Sequence, residues 1–414
     1  MHEALKVYLK GCLAGWLSHE TRGDSYSFRY DARYLEAPRE GPLSFSLPLM
    51  PEAFDAERTY GFFANLLPPL VVRTKLGASL HLSRNNVFGF LRALGRDCAG
   101  AVALYPEGVS PPSDEEERFR ELSDEEALSI LQSLRRRPLY AEGESGYRYS
   151  GAGAQDKLIA RLSGDRVVLP LYGTPSTHII KPAAPDFEDS VQNEFFCQRL
   201  AGAVGLNAAN CRILNLRGIP HYVSERYDRT LVAGKPERLH QEDFCQILSV
   251  DPERKYEGDG GPTAPQCFSA LRRMRAAARD QLSFLDAILF NVLIGNADAH
   301  AKNYSVVYGK PGRPSFAPLY DLVCTAVYPE LSREYAMKIG EDAAFDSVSR
   351  TSFVEMATLF HVSPKLVLGR LGDLTERIVP AASTLAETFG KEHPSGIYGK
   401  IVAIIKERVA KLAD

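Results

Sequence analysis

One stretch constrains this 414-residue chain more than any other: an apolar run that closes on a cluster of polar side chains. Leu285-Asp-Ala-Ile-Leu-Phe-Asn-Val-Leu-Ile294 has the apolar density of a helix buried over most of its surface, and Gly295 marks its end. Asp298, His300, Lys302 and Asn303 follow at once. Packing gives no reason to place a carboxylate, an imidazole, a cation and an amide at the end of such a helix. The plainer alternative is a polar loop that caps the 281–295 helix.

Composition excludes several classes. Charged residues make up 24% and the net charge is −3, so the chain is not a polyanion-coating protein. The length suits roughly two or three packed units. Cysteines 12, 98, 197, 211, 245, 267 and 324 are odd in number and lack a CxxC pair. That argues against a disulfide framework and a structural zinc site, and fits a reducing cytoplasm. Lys6, Lys10 and Gly11 interrupt any secretory apolar run, and no segment has the about 18 uninterrupted apolar residues of a membrane span. The expected location is cytoplasmic.

Residues 1–105 read as a small α/β module. Leu5, Val7 and Leu9 alternate with polar or amphipathic neighbours, as do Tyr26, Phe28 and Tyr30, which predicts two half-buried strands. Residues 106–147 read as a connection with one helix, begun by the capping box Ser123-Asp-Glu-Glu126 and closed by Arg135-Arg-Arg137. Residues 148–228 return to strands, with a hairpin at 158–172 and a helix over 191–204. Residues 229–414 read as mostly helical, over 281–295, 351–360, 364–378 and 397–412. A strand-rich front and a helical back suit two lobes with a cleft between them.

Four separated elements carry chemistry. Ser150-Gly-Ala-Gly-Ala-Gln-Asp-Lys157 is a loop of small residues whose backbone N–H groups can approach phosphate, although such turns are common. Lys181 stands in the apolar strand Thr177-His-Ile-Ile-Lys181, either at a sheet edge or against a polyanion, and Glu194 follows as a partner on the next helix. Ser224-Glu-Arg-Tyr-Asp-Arg229 ends a strand where the composition changes, either a hinge along an adenine or an ordinary strand end. The fourth element pairs Asp298 with Asp321 of Pro318-Leu-Tyr-Asp-Leu322. Phosphoryl transfer needs a carboxylate to accept a hydroxyl proton, with an amide oxygen and a second carboxylate for Mg²⁺. Asp298 suits the first role and Asn303 with Asp321 the second, with Lys302 as a counter-charge. His300 is either a nucleotide contact or a residue that orients the loop.

Assembled in this order, the motifs resemble the HipA family of serine/threonine-protein kinases, the toxins of type II toxin–antitoxin modules. The resemblance also takes in Leu43-Ser-Phe-Ser-Leu-Pro-Leu49, Phe62-Phe-Ala-Asn-Leu-Leu-Pro68, Gly95-Arg-Asp-Cys-Ala-Gly-Ala101, Gln241-Glu-Asp-Phe-Cys-Gln246 and Lys255-Tyr-Glu-Gly-Asp-Gly-Gly-Pro262. It implies an α+β fold of two lobes, protein-kinase-like and akin to phosphoinositide kinases, with an N-terminal α/β subdomain and a mostly helical C-terminal lobe. It implies that Ala152, Gly153, Ala154, Gln155, Asp156, Lys157 and Lys181 bind the phosphates of ATP. Glu225, Arg226 and Tyr227 would lie along the adenine, and His300, Ala301, Lys302, Asn303, Tyr320 and Asp321 would complete the nucleotide and Mg²⁺ site. Ser150 matches the family's autophosphorylated serine, with Gly151 in place of an aliphatic residue after it and Asp156 in place of a common glutamate. Implied partners are a helix-turn-helix antitoxin similar to HipB, operator DNA through that antitoxin, and a protein substrate, with aminoacyl-tRNA synthetases the implied class. Two rival readings stay open: a small-molecule or lipid kinase using the same elements, and a catalytically silent corepressor scaffold.

Overall fold

The computed structural model describes residues 2–20, 25–111, 118–140, 147, 149–150, 153, 155–232, 235–309 and 313–413. They form two compact units that interleave along the chain: Met1–Pro182 with Leu214–Glu253 and Val306–Pro314, and Ala183–Ile213 with Arg254–Ser305 and Ser315–Asp414. Residues 229–253 therefore belong with the first unit, although their sequence reads as the start of the helical part.

Two sheets of the first unit position the candidate residues. β1 (His2–Leu9), β2 (Cys12–Glu20), β3 (Ser25–Tyr30) and β4 (Val102–Pro106) form an antiparallel sheet of order β3-β2-β1-β4. Alternation places Leu5, Val7, Leu9, Tyr26, Phe28 and Tyr30 in the core against Phe62, Phe63, Phe88 and Leu91 of the intervening helices. The second sheet contains β5 (Arg118–Glu121), β6 (Leu158–Ser163), β7 (Arg166–Leu171), β8 (His178–Lys181), β9 (Cys211–Leu216) and β10 (Ile219–Glu225), in the order β5-β7-β6-β8-β10-β9. β6 and β7 make the expected hairpin, with Arg161 opposite Val168. β5 was not legible in its polar sequence. Its backbone pairs with β7 while Arg118, Phe119 and Glu121 stay exposed, so no apolar face betrays it. The helix Asp124–Ser133 carries both bonds of its capping box: Glu126 N–H to Ser123 Oγ at 3.2 Å and Ser123 N–H to Glu126 Oε2 at 2.9 Å.

The second unit is built around helix Ala278–Ile294, buried along most of its length from Phe284 on. Phe268, on the preceding helix, stacks on Phe360 with ring centroids 4.4 Å apart, and Phe284 packs on the same ring. Helix Ser190–Ala203 packs on the C-terminal helices through Phe195 and Phe389, 4.6 Å apart. One helix boundary needs correcting. The helix expected over 364–378 runs Pro364–Glu392, straight through Pro380, because its buried face continues at Ala382 and Phe389 and outweighs one lost backbone bond. The region beyond 240 is mostly helical, as expected, and also carries short strands that the sequence does not announce. Strands His240–Asp243, Ser305–Tyr308, Pro314–Phe316, Glu334–Ile339 and Asp342–Ala344 lie there; four have only three or four residues, and Glu334–Ile339 buries Tyr335, Ala336 and Met337 in succession rather than alternately. Among the described residues no helix is long and apolar enough to cross a membrane.

Candidate active site

The polar loop of the second unit is tied down through its backbone. Gly295 closes the helix in the left-handed region at φ 67°. Thr325 Oγ1 accepts the N–H of Ala297 at 2.7 Å and donates to the carbonyl of Gly295 at 3.0 Å. Asn296 Oδ1 accepts the N–H of Asp298 at 3.0 Å. The chain then turns, with His300 N–H on the carbonyl of Asp298 at 2.8 Å and Asn303 N–H on that of His300 at 2.8 Å. Asn303 Nδ2 also donates to the Asp298 carbonyl, at 2.8 Å. The backbone of Asp298 is thus fixed while its side chain keeps 50% of its exposure. A carboxylate held by rigid backbone and open to an incoming group is the arrangement a general base requires.

The surrounding electrostatics set protonation states. The phenol of Tyr256 donates to Asp298 Oδ1 at 2.6 Å. His300 Nε2 lies 4.0 Å from the same oxygen, but this is not an ion pair. Burial first, then the charges of Lys255 and Lys302, push the His300 pKa down to about 3 against the pull of Asp321, so the ring is neutral at pH 7. Its Nδ1 is buried with no hydrogen-bond partner, which makes it a ready contact for a polar group from outside the chain. Asp321 adopts φ 58°, a left-handed backbone that aspartate tolerates better than most side chains. Its carboxylate and that of Asp298 both act on Tyr256, raising the phenol pKa beyond what burial alone does. Tyr320 donates its hydroxyl to the carbonyl of Lys302 at 2.7 Å and lies 2.7 Å from Ser305 Oγ. Ala301 is buried in the same turn.

The donor set suits Mg²⁺. Asn303 spends its amide nitrogen on Asp298, which leaves its oxygen for a hard cation, and Asp321 supplies a carboxylate. The second unit thus brings Asp298, His300, Ala301, Lys302, Asn303, Tyr320 and Asp321 together. It also supplies Tyr256, which the sequence reading quoted in a motif and gave no role.

The first unit holds the remaining sequence-derived residues. Lys181 ends β8, buried, with its ammonium 5.6 Å over the ring of Tyr222, its cross-strand neighbour on β10. Lys157 is buried as well, and a Cβ on Gly153 (φ 93°) would come within 2.7 Å of its ammonium, so this lysine lies against the loop backbone. Gln155 and Asp156 are partly exposed; Gly151, Ala152 and Ala154 lie outside the described residues. Glu194, named as a partner for Lys181, is buried in helix Ser190–Ala203 of the second unit.

Two sites in this unit behave in ways the sequence did not suggest. Ser150 is buried: its hydroxyl donates to the carbonyl of Leu66 at 2.5 Å and its N–H to that of Asp97 at 3.1 Å. Of the hinge residues, Glu225 is exposed, while Tyr227 donates its hydroxyl to Gln241. Arg226 turns its side chain into a buried ionic cluster. It contacts Asp228 at 2.7 Å, Asp97 at 3.3 Å and Ser176 Oγ at 2.9 Å. Arg229 and Arg238 each reach Asp97 Oδ1 at 2.8 Å. Burial alone would raise the Asp97 pKa, but the guanidiniums of Arg229, Arg238 and Arg226 hold it well below the carboxylate range. The Arg226 side chain staples the strand end to the Gly95–Gly100 turn through the Cys98 carbonyl at 2.9 Å, and its backbone N–H is spent on the carbonyl of Thr177 at 2.9 Å.

Comparison with known proteins agrees along the whole chain. The family description "HipA-like C-terminal domain" matches residues 149–382 and "HipA N-terminal domain" residues 5–105. The putative kinase Y4mE of Sinorhizobium fredii is 39% identical over 388 residues, 92% of each chain. The serine/threonine-protein kinase toxin HipA of Shewanella oneidensis is 30% identical over 391 residues, 91% of this chain and 88% of that one. A chain in a solved complex of Shewanella oneidensis HipA, HipB and operator DNA superposes with a TM-score of 0.86 at 27% identity, covering 99% of this chain and 97% of that chain.

Proposed function

We propose a function from one premise: this chain belongs to the HipA family, so it has a kinase-like α+β fold and is a protein-serine/threonine kinase. Asp298 accepts the proton of the attacking hydroxyl and Lys302 offsets charge on the phosphoryl group in transit. Asn303 and Asp321 hold Mg²⁺, which when bound neutralises charge on the phosphate oxygens of ATP. Residues 152–157 and Lys181 take the phosphates, and Glu225, Arg226 and Tyr227 lie along the adenine. His300, Ala301 and Tyr320 complete the nucleotide site. One observation carries this reading: a half-exposed Asp298 on a rigid turn, with the Asp321 carboxylate acting on the same Tyr256 phenol and the unpartnered Nδ1 of a buried His300 alongside. A catalytically silent scaffold has no need of that combination.

The acceptor is a protein engaged in translation, with aminoacyl-tRNA synthetases the leading class, and its modification stops growth. A helix-turn-helix antitoxin neutralises the kinase and connects it to operator DNA. Self-modification at Ser150 inactivates it, because a phosphate adds nearly two negative charges beside those of ATP. Ser150 must first leave its bond to Leu66, since a buried hydroxyl cannot reach a phosphoryl donor. Quantitative phosphoproteomics after induced expression tests the proposal. Growth arrest with one or a few newly phosphorylated serines or threonines, including Ser150, is expected, and both disappear in Asp298→Asn. Arrest that persists in that variant, or phosphate found only on a metabolite, would refute it.

A further inference from the structure

Lys255-Tyr-Glu-Gly-Asp-Gly-Gly-Pro262 is a tight turn with one purpose visible in its bonds: it fixes a phenol on Asp298. The Tyr256 carbonyl accepts the N–H of Gly261 at 2.8 Å and that of Asp259 at 3.1 Å. A side chain on Gly261 is impossible without rearrangement, because its Cβ would fall 2.1 Å from the carbonyl oxygen of Arg254 and 2.6 Å from that of Tyr256. Glu257 anchors the turn from outside by accepting the N–H of Lys338 at 2.8 Å. The ring is held as well, with the His300 ring edge-on to it at 5.2 Å and 81° and the Lys255 ammonium at 4.9 Å. Here the O–H makes a 2.6 Å charge-assisted bond to Asp298.

We propose that Tyr256 caps the catalytic base: its hydroxyl holds the place of the attacking hydroxyl on Asp298 and keeps water out until a substrate serine or threonine displaces it. The inference rests on the kinase reading of Asp298. In the transfer, the acceptor oxygen bonds to the γ-phosphorus of ATP, the bond from that phosphorus to the ADP oxygen breaks, and the acceptor proton passes to Asp298. Water seated on Asp298 would undergo the same exchange and hydrolyse ATP to no purpose. The phenol blocks that seat, and a substrate that brings its own contacts pushes it aside.

Two measurements on the full chain test this. Phosphate release from Mg²⁺·ATP, without any protein substrate, should rise roughly tenfold in Tyr256→Phe, the scale of one charge-assisted hydrogen bond. The KM for ATP should stay within about twofold, and the rise should vanish when Asp298→Asn is added. In nucleotide-free protein, carbodiimide labelling of Asp298 relative to the exposed Asp165, read by peptide mass spectrometry, should be several-fold faster in Tyr256→Phe. Hydrolysis that is unchanged or slower in Tyr256→Phe, with ATP still bound, overturns the cap and makes Tyr256 a positioning residue. Phosphate on Tyr256 in the wild type overturns it too, since the phenol would then be an acceptor. Failure of the wild type to bind Mg²⁺·ATP in calorimetry would instead sink the kinase reading, while the labelling ratio still decides whether the phenol shields Asp298.

Discussion

Replacing Glu242 by glutamine isolates the cost of a buried carboxylate in the first unit. Glu242 is fully buried in strand His240–Asp243 and accepts the hydroxyls of Ser44 and Tyr308 and the N–H of Phe45 at 3.1 Å. Burial nevertheless wins, and raises the pKa from 4.5 to about 7. The folded chain therefore keeps a proton that the unfolded chain releases, so stability falls as pH climbs from 4.5 to 7 and levels off above. With 1.36 kcal/mol per unit, the penalty is about 1 kcal/mol at pH 5 and about 3 kcal/mol at pH 8. Glutamine cannot ionise and keeps an acceptor oxygen. Any fixed cost of housing its amide cancels between the two pH values, so the stability of Glu242→Gln relative to wild type should improve by about 2 kcal/mol from pH 5 to pH 8. Urea unfolding followed by fluorescence reads it, because the single tryptophan, Trp16, lies in the same unit. An offset equal at both pH values, or one that worsens at pH 8, would refute the reasoning.

Three further outcomes follow from other contacts. Asp97→Asn removes the buried charge on which three guanidiniums converge and should cost about 3–5 kcal/mol in thermal or urea unfolding; a loss below about 1 kcal/mol would mean the cluster is incidental. Gly261→Ala should cost more than about 1 kcal/mol and speed carbodiimide labelling of Asp298, because the turn that positions Tyr256 must open; neither change would appear if the backbone yields freely. Ser150→Ala should lose about 1–3 kcal/mol by leaving the Leu66 carbonyl unpaired in the core, and unfolding indistinguishable from wild type would show that Ser150 does not rest there in solution.

What the sequence disclosed was local. Residues 298–303 are adjacent in the chain, so their shared chemistry could be read without knowing the fold, and the strands around Leu5, Val7, Leu9 and Tyr26, Phe28, Tyr30 show their period directly. The Ser123–Glu126 capping box was legible for the same reason, since both of its bonds span three residues. Long-range pairs left no such trace. Tyr256 meets Asp298 across 42 residues, and Arg226 meets Asp97 across 129, so no spacing rule could link them. Ser224-Glu-Arg-Tyr-Asp-Arg229 and Gly95-Arg-Asp-Cys-Ala-Gly100 were each visible as polar motifs, yet that they form one ionic cluster is a property of the folded unit. Helix Pro364–Glu392 outran its expected end because tertiary burial overrode the proline.

The central claim is that Asp298 accepts a proton during transfer of the γ-phosphoryl group of ATP to a protein hydroxyl. Incubating the purified chain with Mg²⁺ and γ-labelled ATP, as wild type and as Asp298→Asn, tests it most directly. Label on serine or threonine of the wild type is expected, with at least a hundredfold less in Asp298→Asn (the scale of a lost general base, about 10²–10⁴) while both bind ATP alike. Equal labelling of the two proteins, or none in a wild type that binds Mg²⁺·ATP, would contradict it.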